Sequence, residues 1–477
     1  MQNPSPKRQS GAAILLMLLL LTTAGAGILV AQGDHNRHQL NTHLKTSMAL
    51  AQAKDVLLAH ATTYDFTRPG RLGFLPCPDS SSDSNPEGRE DAGCGATGEN
   101  RIGRLPWRSL AIPPIKDGDG ECLWYAVSSS YKGRTTSKLV NADTNGFFEV
   151  FNTDGTLTHS GNAEDRIIAV IFAPGRPLGE QDRGQTDDKT EECGGNYTAS
   201  NYLEGDGAID NATLQGGTDV LDQFIRGQPH NPNSEATYND RLLTITQSEL
   251  WSTILARDSV TEKLQLLTQT LAECVASYGL AGTSENTLPW PAPVNLNPEY
   301  RLDNQYDDAN NPSFSLGRLP LIVDDSATEA GREKNQLFAL DEDEDAYCQL
   351  DSPAGDNKLW QNWKDHFFLV TSDAFQPGGN GLCDGTNCIT LLNSAAEYAA
   401  IVFFAGQALT APRNDPLSGE NPGTKHILDN YLEAPNNAPN GDPDGNHAYQ
   451  QGTASDTIND ILYCIEPDMD VILCPST

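Results

Sequence analysis

"IAVIFAPGRPL", Ile168–Leu178, is answered 231 residues later by "AAIVFFAGQAL", Ala399–Leu409. Both are β-rich runs, uncharged as far as a glycine that is followed by a polar residue, so each reads as a strand running into a turn. The neighbouring segments repeat as well, and in the same order. "GRLPW" (Gly103–Trp107) returns as "GRLP" (Gly317–Pro320), and "LWYAVSSSY" (Leu123–Tyr131) is echoed by "HFFLVTSDAF" (His366–Phe375). "NYLE" stands at Asn201–Glu204 and again at Asn430–Glu433, while "YNDRLLTIT" (Tyr238–Thr246) answers "INDILYCIE" (Ile458–Glu466). Ordered matches at offsets near 214 to 243 residues predict an internal duplication of a helix-plus-sheet unit.

Each copy is preceded by a helical pattern. In "AQAKDVLLAHATTYDF" (Ala51–Phe66) and upstream of it, Leu40, Leu44, Met48, Ala51, Val56 and Leu57 approximate one stripe. In the second copy a helix is predicted over about Ser248–Tyr278, with Leu264, Leu267, Leu271, Cys274, Val275 and Tyr278 on its apolar face. Arg68-Pro69-Gly70 stops the first helix.

Composition narrows the function. The 477 residues carry 65 acidic and 31 basic side chains, a net charge of −34. That excludes nucleic acid as a partner, since such binding needs cationic surface to displace counterions. All ten cysteines follow the apolar N-terminal segment, and an even count there points to disulfides in an oxidising compartment. No Cys-x-x-Cys pair, Gly-x-Ser-x-Gly, His-Glu-x-x-His or phosphate loop occurs, so the chain is not expected to be an enzyme.

The N-terminus reads "PSPKRQSGAAILLMLLLLTTAGAGILVAQ" from Pro4. Residues Ala12 to Ala31 number 20, long enough as a helix to span a bilayer of ~30 Å. Lys7 and Arg8 would set its topology. Ala24-Gly25-Ala26 also offers a signal-peptidase site, which would make Gly27 the first residue of a secreted protein.

Basic residues, a glycine and then an apolar helix resemble the leader of type IV pilins and type II secretion pseudopilins. The resemblance implies cleavage by a prepilin peptidase between Gly11 and Ala12, with N-terminal methylation, and retention of the apolar segment. Together with the internal duplication it implies an α+β fold: a long N-terminal helix, half transmembrane and half amphipathic, then two tandem pilin-like lobes, each a helix packed on an antiparallel sheet. The divisions would be 1–11 leader, 12–64 helix, 65–246 first lobe and 247–477 second lobe. The implied partners are other minor and major pilins or pseudopilins, the peptidase and the inner membrane. The implied localisation is a single-pass inner-membrane protein with a periplasmic head that later reaches a filament tip or the cell surface. One departure is informative. Such subunits usually carry a glutamate at the fifth mature position, where this chain has Leu16. Absence of that carboxylate, together with a double-sized head, fits a tip or initiating subunit. The alternative is a tethered or secreted binding protein, or adhesin, that enters no filament.

Disulfide candidates by proximity are Cys383 with Cys388, Cys77 with Cys94, and Cys464 with Cys474, the last like a pilin's C-terminal loop; Cys122 with Cys193 and Cys274 with Cys348 remain. Sequence alone does not fix the connectivity. Calcium is the one candidate cofactor. "NADTNG" places Asn141, Asp143 and Asn145, and "NGDPDG" places Asp442 and Asp444, at alternate positions before a glycine.

Overall fold

The computed structural model describes residues 39–476, apart from 81–84, 134–139, 160–165, 185–190, 228–237, 283–286, 297–299, 309–314, 324–333, 342–343, 351–354, 410–412, 414–423, 438–447 and 453–457. The leader, its cleavage site and the apolar run therefore lie outside the described residues.

The fold is mixed α+β. Helix α1 covers 39–63, and its core face is Thr46, Ala49, Leu50, Ala53, Leu57 and Ala61. The first sheet contains β1 (Arg101–Arg104), β2 (Trp124–Val127), β3 (Phe148–Asn152), β4 (Ile167–Ala173), β5 (Asp222–Arg226) and β6 (Arg241–Thr246). The order is β1-β2-β4, with β6 antiparallel along the free edge of β4. β3 joins β4 at the Phe148–Ile167 pair and carries β5 in parallel. The chain then enters α2 (Gln247–Leu255), capped by the Thr246 hydroxyl on the Glu249 amide, and α3 (Asp258–Leu280). The second sheet is β7 (Leu316–Arg318), β8 (Phe367–Thr371), β9 (Ala400–Phe404), β10 (Ile461–Ile465) and β11 (Val471–Leu473), antiparallel in the order β7-β8-β9-β10-β11. Helix α4 (Asp356–Trp363) leads into β8.

Strand by strand, β1-β2-β4-β6 corresponds to β7-β8-β9-β10. The register corresponds too: Arg104 faces Trp124 as Arg318 faces Phe368. Gly103 and Gly317 lie against the backbones of Asp79 and Ala292, where an added Cβ would sit 2.5 and 2.3 Å from a carbonyl oxygen. That close approach explains why each "GR" begins with glycine.

Side chains alternate across each sheet. In the first, Tyr125, Val127, Ile171 and Ile245 enter the large central core, and Trp124, Ala126, Phe172 and Leu242 enter a satellite core under the loops. In the second, Phe367, Leu369, Val402 and Tyr463 enter the same central core, and Phe368, Val370, Phe403 and Leu462 enter a second satellite. Both faces are thus covered, which is why β4 and β9 are apolar at every position.

Several expectations are corrected. The expected long N-terminal helix with a transmembrane half is one: no helix among the described residues is long and apolar enough to cross a membrane. Gln39, Asn41, Lys45, Ser47 and Lys54 break up any apolar window in α1. The inner-membrane localisation loses its structural basis for the same reason; five disulfides point to an oxidising compartment. The first sheet is mixed rather than antiparallel, because β3 and β5 run parallel. The helix expected over Ser248–Tyr278 is two helices broken at Ala256–Arg257. Residues of both sheets meet in one central core.

Candidate functional site

Three features of the described structure carry chemistry or unpaired surface. The first is the outer face of α1. Leu40, Leu44 and Met48 are 60%, 59% and 63% exposed, four residues apart and nearly opposite the core face. The stripe expected from sequence thus divides: Leu40, Leu44, Met48 and Ala51 face out, while Leu57 faces in. The helix is apolar on two sides and the sheet takes only one. Lys54 Nζ anchors the inner side by donating to the Thr244 carbonyl at 2.9 Å, and Arg241 reaches back to the His43 carbonyl at 3.0 Å.

The second feature is a polar framework present in both halves. Arg104 and Arg318 are buried, with guanidinium groups 5.4 and 4.7 Å from the rings of Tyr202 and Tyr431, the tyrosines of the two "NYLE" segments. The glutamates of those segments meet the aspartates of the two "ND" pairs. In the first half, Glu204 Oε2 accepts from the Asn239 and Asp240 amides at 3.1 and 3.2 Å, and Asp240 Oδ2 accepts from the Glu204 amide at 2.8 Å. Asn211 Nδ2 donates to Asp240 at 3.1 Å, and its side-chain amide also pairs with the backbone of Ile225. In the second half, Asn436 Nδ2 donates to Asp460 at 3.0 Å and its amide pairs with the backbone of Gln450. Burial, then the neighbouring glutamate charge, raises the carboxyls of Asp240 and Asp460 well above the ordinary range. Each aspartate keeps one oxygen without a fixed donor, Oδ1, so the geometry suits a proton held on the aspartate and shared with its glutamate.

The third feature belongs to the first half alone. A pocket of about 200 Å³ opens between the "LPCPD" segment and β1, lined by Asp79, Ser80, Asp91, Arg101 and Tyr197 over Pro78 and Ile102. Asp79 is held by a two-way backbone pairing with Arg104, at 2.9 Å each way. Its Oδ2 accepts from the Gly88 amide at 2.8 Å and the Tyr197 hydroxyl at 3.0 Å. Burial pushes its carboxyl up to about 7 against those two hydrogen bonds. The Tyr197 ring lies 4.9 Å from the Arg104 guanidinium, which fixes its orientation.

The three pairings suggested by proximity are formed, Cys77–Cys94, Cys383–Cys388 and Cys464–Cys474, and so are the two that remained, Cys122–Cys193 and Cys274–Cys348. The calcium residues separate. Asp442 and Asp444 lie outside the described residues. Asn141, Asp143 and Asn145 are buried where the halves meet. Asp143 there faces His366 Nε2 at 3.2 Å, Arg413 Nε at 3.6 Å and Lys425 Nζ at 3.9 Å, and Asn141 donates to Asp365 at 2.8 Å. Burial pushes the Asp143 carboxyl up, but the charges of Arg413, His366 and Lys425 outweigh it and hold the group below its usual range. Side-chain cations face this carboxylate from the other half, and Asp143, Asp365 and His366 bring their ligand atoms within 4.8 Å of one another. Lys7, Arg8, Gly11 and Ala12 lie outside the described residues.

Sequence reasoning missed Asn211 and Asn436, the cations Arg413 and Lys425, and the pairing of "LPCPD" (Leu75–Asp79) with "LPWPA" (Leu288–Ala292) ahead of each "GR". The doubled Leu-Pro-x-Pro was the available signal. No protein-family model, curated protein or solved structure matches the chain.

Proposed function

We propose that the protein is a tip or initiating subunit of an exported filament of the type IV pilin-like class, built on a duplicated head, and that its work is assembly and contact rather than catalysis. The observation that supports this reading is the second apolar face of α1. Leu40, Leu44 and Met48 form a row left mostly exposed by the described residues, at the end of the helix next to a sequence that is itself apolar over residues 12–31. Covering the exposed part of these three side chains would contribute about 3–5 kcal/mol. That is too little for a stable pair by itself, so the row would be one part of a larger contact. Neighbouring filament subunits with helices of the same kind would supply the partner surface. The missing glutamate at Leu16 and the double head agree with a position that has no subunit beyond it.

The test is the intact mass of the mature chain from its host, with and without prepilin peptidase. A peptidase-dependent start at Ala12 is expected. A start at Gly27 would instead make it a secreted binding protein, the second reading, which the polar pocket of the first half favours.

A further inference from the structure

We propose that the pocket between the "LPCPD" segment and β1 binds a single neutral sugar ring. This inference does not depend on the filament reading.

The molecule supplies its own comparison. Groups that build the fold recur in both halves: Arg104 with Arg318, Gly103 with Gly317, Tyr202 with Tyr431, Asn211 with Asn436, and Asp240 with Asp460. The pocket groups do not recur. Asp79 pairs with Arg104 across the same backbone bridge by which Ala292 pairs with Arg318. Two positions before the shared glycine, Arg101 is matched by Ser315, and Cys77 of the Cys77–Cys94 bridge is matched by Trp290. The second half therefore closes the same bridge with no carboxyl at the Asp79 position and no guanidinium at the Arg101 position. Burying a carboxyl is costly, yet Asp79 is only 3% exposed at a place where the fold accepts alanine.

The chemistry of the lining selects the ligand. Asp79, Tyr197, Ser80 and Asp91 form adjoining hydroxyl–carboxyl pairs, Tyr197 donating to Asp79 Oδ2 at 3.0 Å and Ser80 Oγ to Asp91 Oδ2 at 2.9 Å, which leaves their lone pairs to accept. Arg101 Nε is buried without a hydrogen-bond partner. Vicinal hydroxyls, each both donor and acceptor, match such an alternating rim. Pro78 and Ile102 present apolar surface to the C–H side of a ring. Two carboxyls on the rim and a net charge of −34 disfavour an anion. At about 200 Å³ the space is below the ~300 Å³ at which sites for drug-sized ligands begin, so a nucleotide or large cofactor does not fit.

The experiment uses the full chain with free glucose, galactose, mannose and N-acetylglucosamine, read by saturation-transfer NMR and by titration. Asp79→Ala and Arg101→Ser are the variants. Each installs the residue the second half already carries at the matching position, and unchanged thermal unfolding checks that they fold. At least one sugar is expected to bind the natural protein, and about tenfold or more weaker in each variant, as loss of one or two hydrogen bonds implies. Absence of binding by all four sugars would overturn the proposal. So would equal binding by folded variants, or binding of a free amino acid such as glycine at the same residues in place of sugar.

Discussion

At the scale of single residues, the paired acids make a pH prediction. Burial and the neighbouring glutamate hold Asp240 and Asp460 protonated in the folded chain well above the ordinary carboxylate range. The folded state then binds more protons than the unfolded state once the pH exceeds about 3.9. The pairs are therefore most favourable at or below that range, and stability falls as pH rises toward their folded values. Asparagine copies the protonated aspartate: its oxygen can accept from Asn211 or Asn436 and its amide can donate to the glutamate. Urea unfolding of Asp240→Asn/Asp460→Asn between about pH 5 and pH 8 should show a flatter decline than the natural protein. An unchanged slope would mean that the aspartates are ionised in the fold. These residues were half legible. The repeated "NYLE" and "ND" were visible as strings, but nothing in a string shows that the glutamate of one and the aspartate of the other meet. Asn211 and Asn436 follow their "NYLE" at different distances, so no common spacing marked them.

At the scale of elements, α1 should respond differently on its two faces. Leu57 is fully buried, and Leu57→Ala should cost about 2–5 kcal/mol in chemical unfolding. Leu44→Ser, on the exposed row, should stay within about 0.5 kcal/mol. Equal losses would show that the outer face is already covered within the head. The strands were legible because both faces of β4 and β9 are buried, which produces unbroken apolar runs. The stripe of α1 was misassigned because Leu40, Leu44 and Met48 are as apolar as its core positions. Hydrophobicity alone cannot tell a face that meets its own sheet from one that does not. The α3 stripe was read correctly, and Leu264, Leu267, Leu271, Cys274, Val275 and Tyr278 are all buried; on its outer side the exposed Leu266 stands without an apolar row around it. β5 and its parallel pairing left no signal, because its five residues include two charges and resemble the loops around them.

At the scale of the whole molecule, the halves are locked together by charge as well as by the shared core. Asp143 comes from the first half, and Arg413, Lys425 and His366 from the second. Gly70 and Gly355 pack so closely that a Cβ on Gly70 would lie 2.0 Å from the Gly355 carbonyl oxygen. Asp143→Ala would leave Arg413 buried without its carboxylate, so a loss of about 3–5 kcal/mol is expected in urea unfolding. A change below about 1 kcal/mol would show that water reaches the seam. The string "NADTNG" shows none of this, because a buried carboxylate facing side-chain cations and one facing a metal use the same residue types. Only the distant Arg413 and Lys425 distinguish them.

The central claim is that the outer row of α1 docks the chain into a filament. It is tested most directly by measuring the protein in the sheared filament fraction of its host, for the natural chain and for Leu40→Glu/Leu44→Glu/Met48→Glu. The account predicts that the natural chain is present at low stoichiometry. The triple variant, equally abundant in cells and equally stable, should fall at least about tenfold, as loss of the docking area implies. Absence of the natural chain from filaments, or equal recovery of the variant, would contradict it.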